Sequence, residues 1–235
     1  MKIIVCSDIH GNKYAFDAFL ESIEKISYDK IVFCGDVFGY YYYADEIAKK
    51  MQESFVCLLG NHDKMLLDAW DNKYSEEILF SLVEKYGSVY STFREIISSD
   101  TICFLRSLDS RYIIECNGLK LGFFHGTPDD PLDGRLYPNM FPADYGIYNQ
   151  FDYVFLGHTH HKMVRYFGET TVLNPGSLGQ QRDGKGCSYL IFDSVKEEFE
   201  FKSVDFDREK LVRDIRVYDN GMEKLVEVLF RESVK

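Results

Sequence analysis

Three short apolar runs open the chain, KIIVC at 2–6, KIVFC at 30–34 and SFVCLL at 54–59, and helical patterns separate them. A β-α-β-α-β order of this kind leaves few folds, because consecutive parallel strands of one sheet are joined by right-handed crossovers. The first intervening segment supports it. Phe16, Phe19, Leu20, Ile23 and Ile26 recur at the spacing of one helical face. The fold class is therefore α/β with parallel strands near the N-terminus.

The rhythm stops after residue 63. From 64 to 108 the patterns are helical, with Ile78, Leu79, Leu82, Val83 and Tyr86 on one stripe and a capped turn in SSDTICFLRSL. We expect a helical insertion covering one edge of the core. Strands resume as RYIIEC, LKLGFFH and DYVFLGH, then MVRYFG, TTVLN, CSYLIFD and EFEFKSV, with an Asn-Gly hairpin signal in CNGLK. A helical tail is expected over about 207–235; it carries Leu211, Val212 and Ile215, breaks at DNG and resumes near Met222. At 235 residues, 46% hydrophobic, a single domain spanning 1–235 is expected.

Polar chemistry gathers where strands end. Asp8 and His10 follow the first strand, Asp36 the second, and Asn61, His62 and Asp63 the third; His125 follows LGFF, while His158 and His160 follow YVFL. Loops at the carboxyl edge of a parallel sheet are where such sheets bind ligands. Singly, each signal is compatible with an ordinary turn. Together they place seven candidate ligands, Asp8, His10, Asp36, Asn61, His125, His158 and His160, which are too many for one ion. Carboxylates, imidazoles and one amide oxygen, with no thiolate required, suit Mn, Fe or Zn. A carboxylate shared by two ions is the two-metal arrangement used for phosphoester hydrolysis. His161 is expected in a polar exposed loop.

The net charge of -11 disfavours extended nucleic acid as a partner. No run approaches the roughly 20 apolar residues of a membrane span, and MKIIV is too short for a signal-peptide core, so a cytoplasmic protein without a membrane partner is expected. The six cysteines form no CxxC and are expected as buried, reduced thiols.

The blocks SDIHGN, CGDVFG, LLGNHD, FFHGTP and GHTH, with NPGSLGQQRDG after them, resemble the calcineurin-like metallophosphoesterases, most closely their small bacterial and archaeal phosphodiesterase branch. The resemblance runs from Met1 to about Asp193. It implies a four-layer α/β/β/α sandwich of two mixed sheets. It also implies two divalent ions, manganese foremost, with Fe, Zn, Ni or Co as alternatives. One would be held by Asp8, His10, Asp36 and His160, the other by Asp36, Asn61, His125 and His158, with Asp36 bridging. A bridging water would attack phosphorus in line, and His62, oriented by Asp63 or another aspartate, would protonate the leaving group.

The implied substrates are small phosphodiesters or dinucleoside polyphosphates. Arg182, and less so Arg135, would grip a non-reacting phosphate; Gly176 would bring backbone close to the site. Tyr40 lies near it, although packing into the core is the expected role of Tyr40 to Tyr43. Two alternatives exist in the same superfamily. A protein serine/threonine phosphatase would carry arginines flanking GD and GNH that this chain lacks, and a non-catalytic scaffold would have lost a ligand or His62. A homodimer through exposed aromatics of the insertion is a further expectation.

Overall fold

The computed structural model describes residues 1–142, 144–184 and 186–231. Its first sheet is built on β1 (Lys2–Cys6), β2 (Lys30–Phe33) and β3 (Val56–Cys57), mutually parallel, and is completed by β9 (Ser188–Asp193) and β10 (Glu198–Ser203) in the order β10-β9-β1-β2-β3. Strand β3 is only two residues long, and α3 begins four residues after it ends. The second sheet, in the order β4-β5-β6-β8-β7, contains β4 (Arg111–Cys116), β5 (Leu119–Phe124), β6 (Tyr153–Leu156), β7 (Lys162–Phe167) and β8 (Thr170–Pro175). Strands β5, β6 and β8 are parallel, and the β4–β5 hairpin turns on Asn117 and Gly118, both at positive φ as a two-residue Asn-Gly turn requires.

The two sheets face each other. Ile3, Val5, Val32 and Leu58 of the first meet Leu121, Phe123, Phe155 and Leu173 of the second in one buried cluster. The outer face of the first sheet is covered by α1 (Lys13–Ile23) and α2 (Ala44–Ser54). Helix α1 buries Phe16, Phe19 and Ile23 and is capped by the Asn12 side chain, which accepts from Ala15 N. Around them lie α3 (Asn61–Trp70), which runs into the stretch expected as an insertion, α4 (Glu76–Tyr86), α5 (Val89–Ile96) and α6 (Ser99–Arg106) within it, then α7 (Arg208–Tyr218) and α8 (Glu223–Glu227) of the expected tail. The expected tail extends over 232–235, which lie outside the described residues.

The fourth layer is thinner than an α/β/β/α sandwich implies. Across the outer face of the second sheet run a loop and one 3₁₀ turn, Tyr148–Gln150, whose Leu136, Tyr148 and Phe151 cover Val154 and Val172. No helix of the described residues is long and apolar enough to cross a membrane.

All six cysteines are free, but Cys103 is exposed and Cys57 and Cys116 are only half-buried, so burial holds for three of them. On the insertion, α4 buries no residue fully; Ile78 of the expected stripe and Phe80 face solvent.

Candidate active site

The loops that leave β1 and β2 are zipped together by main-chain bonds: Asp8 N donates to Gly35 O, His10 N to Asp36 O and Gly11 N to Val37 O, at 2.8–3.0 Å. Non-glycine residues here and after β6 adopt left-handed backbone. Asp8, His10, Asp36, His158 and His160 all have φ between 49° and 66°. Such conformations cost of order 1–2 kcal/mol each and cluster at functional sites. Five candidate ligands share them here.

Asp63 fixes this frame. Its carboxylate, wholly buried, accepts from Asp36 N (3.0 Å), Val37 N (3.3 Å), Phe38 N (2.8 Å) and Gly60 N (3.0 Å). The contact with Gly60 N also closes the first turn of α3. Four donors and no acceptor around it describe an ionised group. The expectation that Asp63 orients the His62 ring is therefore corrected: both of its oxygens are committed to backbone, and the ring is held elsewhere. Gly60 has to be glycine, because a Cβ there would stand 2.1 Å from Asp36 Oδ1.

The imidazoles converge with their nitrogens sorted. His10 Nδ1 donates to Phe38 O (2.9 Å), His160 Nδ1 to Gln180 O (2.5 Å) and His125 Nδ1 to Cys34 O (2.7 Å). A carbonyl oxygen only accepts, so each Nδ1 carries the proton and each Nε2 presents a lone pair. Yet His10 Nε2 and His160 Nε2 lie 3.0 Å apart, and His125 Nε2 lies 3.0 Å from Asn61 Oδ1. Lone pairs facing one another repel, and a metal cation between or beside them removes that repulsion. Buried Asp8 Oδ1 and His158 Nε2 likewise have no hydrogen-bond partner.

Three donor groups, each drawn within 4.8 Å, result: Asp8, His10 and His160; His10, Asp36 and His62; Asp36, His125 and His158. Asp36 joins the two sides, with Oδ2 3.7 Å from His10 Nε2 and 3.5 Å from His125 Nε2, while its Oδ1 accepts from His62 N at 2.8 Å. The second sheet is tied in by His158 N, which donates to Asp8 Oδ2 at 3.1 Å.

Electrostatics point the same way. Burial, reinforced by neighbouring imidazoles, pushes His10 well below the usual histidine range and His158 down to about 3, which suits neutral rings that ligate, and it lowers His62 in the same way. Burial and the adjacent Asp63 and Asp8 carboxylates push Asp36 up. Burial opposes ionisation of Asp8 too, and what lowers its pKa against that is positive charge in front of it, on the side where His160 faces it.

Around this centre, Arg182 Nη2 donates to Tyr40 Oη (2.6 Å) and Gln180 Oε1 (3.3 Å). The Tyr40 ring packs edge-on to His10 and, tilted, against His62 at 5.2 Å. Tyr40 thus borders the site, while Tyr41 is fully buried and Tyr42 and Tyr43 bond Asp219 and Asp214 of the tail. Arg135 is exposed and acts on His158 only through its charge. Gly176 makes a turn next to Ser177, whose hydroxyl donates to Asp8 O at 2.7 Å. That turn, with Gly176 at a φ of 81°, is closed by Asn174 Oδ1, and a Cβ there would meet Ser188 and Lys162. A close approach is made at Gly179, where a Cβ would lie 1.9 Å from Ile9 O, beside Asp8. His161 is half-buried, with Tyr137 edge-on at 5.5 Å. One contact had no signal in the sequence: His62 Nδ1 bonds Tyr90 Oη of α5 at 2.8 Å.

Comparison with known proteins places this geometry. The calcineurin-like phosphoesterase superfamily domain matches residues 1–197. The chain belongs to the calcineurin-like phosphoesterase superfamily. The uncharacterised protein MJ0912 of Methanocaldococcus jannaschii is 32% identical over 235 residues, 91% of each chain. Among solved structures, a metallophosphoesterase from Sphaerobacter thermophilus superposes with a TM-score of 0.78 at 24% identity, covering 98% of this chain and 99% of its own. The hypothetical protein PH1004 from Pyrococcus horikoshii does so with a TM-score of 0.82 at 17% identity, covering 99% of both. The phosphoesterase fold of two mixed five-stranded sheets is thus shared, and the chain is a metal-dependent phosphoester hydrolase. The divalent ions that the superfamily implies fit the residues present: neutral imidazoles with opposed lone pairs, an unpartnered carboxylate oxygen and no thiolate.

Proposed function

We propose that this phosphoesterase hydrolyses small phosphodiesters or dinucleoside polyphosphates by in-line attack of water, with two divalent ions, manganese foremost. Asp8, His10, Asp36 and His160 would hold one ion, and Asp36, Asn61, His125 and His158 the other. The observation that carries this reading is the 3.0 Å separation of the His10 and His160 Nε2 atoms while both Nδ1 atoms donate to carbonyls. When bound, the ions supply an acidified water and offset charge on the phosphoryl oxygens.

The chain's own groups do the rest. Asp36 reaches towards both clusters, which suits a shared ligand. His62 contributes a ring nitrogen beside His10 and Asp36 and is the proton donor to the leaving group. Arg182, steadied by Tyr40 and Gln180, keeps further guanidinium donors for a non-reacting phosphate. The cluster is deeply set: His158, 7% exposed, and His62, 5% exposed, are its most accessible histidines. That favours a slender phosphate-bearing molecule over a folded phosphoprotein.

The test is a panel of a chromogenic phosphodiester, the matching monoester, a dinucleoside tetraphosphate and a phosphopeptide, each with Mn²⁺ and with chelator. Turnover of the diester or the tetraphosphate, abolished by chelator, is expected. Preference for the phosphopeptide, or no turnover by metal-loaded protein, would refute the proposal.

A further inference from the structure

The insertion reaches into the site at one point. Tyr90 lies on α5, fully buried, and its hydroxyl meets His62 Nδ1 at 2.8 Å, 28 residues along the chain. Its ring is wedged edge-on against Phe38 (5.0 Å) and beside Tyr86 (5.6 Å), so the direction of the O–H is set by packing. Phe38 belongs to the loop that Asp63 anchors and that supplies the acceptor for His10 Nδ1. Tyr86, on the preceding insertion helix α4, also packs edge-on to His62 at 4.6 Å. The proton donor is therefore braced by the helical insertion, whereas the candidate metal ligands are braced by the two sheets.

We infer that Tyr90 is a positioning residue for leaving-group protonation: its hydrogen bond fixes the His62 ring so that Nε2 presents a hydrogen to the substrate. The inference rests on the hydrolase reading of His62. In the neutral ring, the phenol donates to Nδ1, which leaves the proton on Nε2. In the charged ring, Nδ1–H donates to the same phenol oxygen, and Nε2 again carries a hydrogen. When that Nε2 hydrogen passes to the departing oxygen, the N–H bond breaks, the O–H bond forms and the ring is left neutral with its proton on Nδ1, still bonded to Tyr90. The phenol stays uncharged throughout, since burial raises its pKa well above the ordinary tyrosine value. Without the hydroxyl, the ring loses the contact that holds Nδ1 against α5 and is free to turn about its Cβ–Cγ bond, carrying Nε2–H away from the departing oxygen.

Leaving-group dependence separates this role from a structural one. A nitrophenolate departs without a proton, and an alkoxide does not. Tyr90→Phe should keep wild-type metal content and KM, lower kcat on an alkyl phosphodiester about 10- to 100-fold, and change kcat on a nitrophenyl phosphodiester less than about twofold. Equal losses on both substrates, or none on the alkyl ester, would overturn the inference. ¹⁵N spectra of histidine-labelled wild-type protein provide a reading that does not depend on the variant: the neutral His62 ring should be protonated on Nε2 alone. A mixed tautomer with turnover intact would overturn this inference only. Failure of the metal-loaded wild type on both diesters would overturn the hydrolase reading and this inference with it.

Discussion

Removing the Asp63 carboxylate should unlace the site from beneath without touching a candidate ligand. In Asp63→Ala, the amides of Asp36, Val37, Phe38 and Gly60 lose their acceptor in a fully buried place. A buried donor left unmatched costs about 1–3 kcal/mol, so four give roughly 4–12, and water filling the vacated space moves the total towards the lower end. A loss of about 4–6 kcal/mol is a large part of a typical domain's 5–15 kcal/mol. Asp63→Asn is more informative. An amide oxygen in the place of Oδ2 retains the bonds to Asp36, Val37 and Gly60, while the amide nitrogen opposes Phe38 N–H, for a cost of about 2–3 kcal/mol. Urea unfolding should rank wild type, Asp63→Asn and Asp63→Ala in falling midpoint. Unfolding of Asp63→Ala at the wild-type midpoint would refute the frame role. Turnover lost in Asp63→Asn at unchanged stability and metal content would show that Asp63 acts on the chemistry instead.

His62→Ala should retain both metals by elemental analysis and lose roughly 10²- to 10⁴-fold in turnover; metal lost in parallel, or activity unchanged, would remove His62 from the proton-donor role. Asp36→Ala should lose both ions, since it reaches both clusters, and retention of two ions would exclude it as the shared ligand. Asp45 offers a pH test away from the site. Burial opposes its ionisation, but Lys49, the amide and hydroxyl of Ser98 and the Thr101 hydroxyl bring its pKa down from 3.8 to about 2. A depressed carboxylate stabilises the fold above its unfolded pKa and loses that contribution as pH falls through the folded value. Asp45→Asn should therefore be less stable by about 1–2 kcal/mol at pH 7, allowing for partial exposure, with the gap shrinking below about pH 4 and closing only below about pH 2; a constant difference across that range would contradict the assignment.

The parallel start of the fold was legible because short β-branched runs and one amphipathic helix leave a single packing solution. The candidate ligands were legible because Asp8, Asp36, Asn61, His125, His158 and His160 sit within four residues of strand ends, and parallel strands deliver their ends to one edge. What escaped depends on contacts distant in sequence. Nothing local distinguishes Asp63, which reaches back to the loop after β2, from an ordinary helix-capping aspartate. Tyr90 comes from an insertion whose helical pattern carries no motif, and only the packing of α5 brings its hydroxyl to His62. NPGSLG offers two glycines, and nothing local told that Gly179 would run against Ile9 O while Gly176 takes a positive φ. The left-handed backbone of five candidate ligands was equally silent, because aspartate and histidine do not advertise a positive φ as glycine does.

The most direct test of the two-metal hydrolase is anomalous diffraction from crystals grown with Mn²⁺. Two peaks about 3.5–4 Å apart are expected, one on the His10 and His160 Nε2 atoms, the other on the His125 and His158 side, with Asp36 between them. A single peak, or two peaks of which only one touches Asp36, would contradict the account.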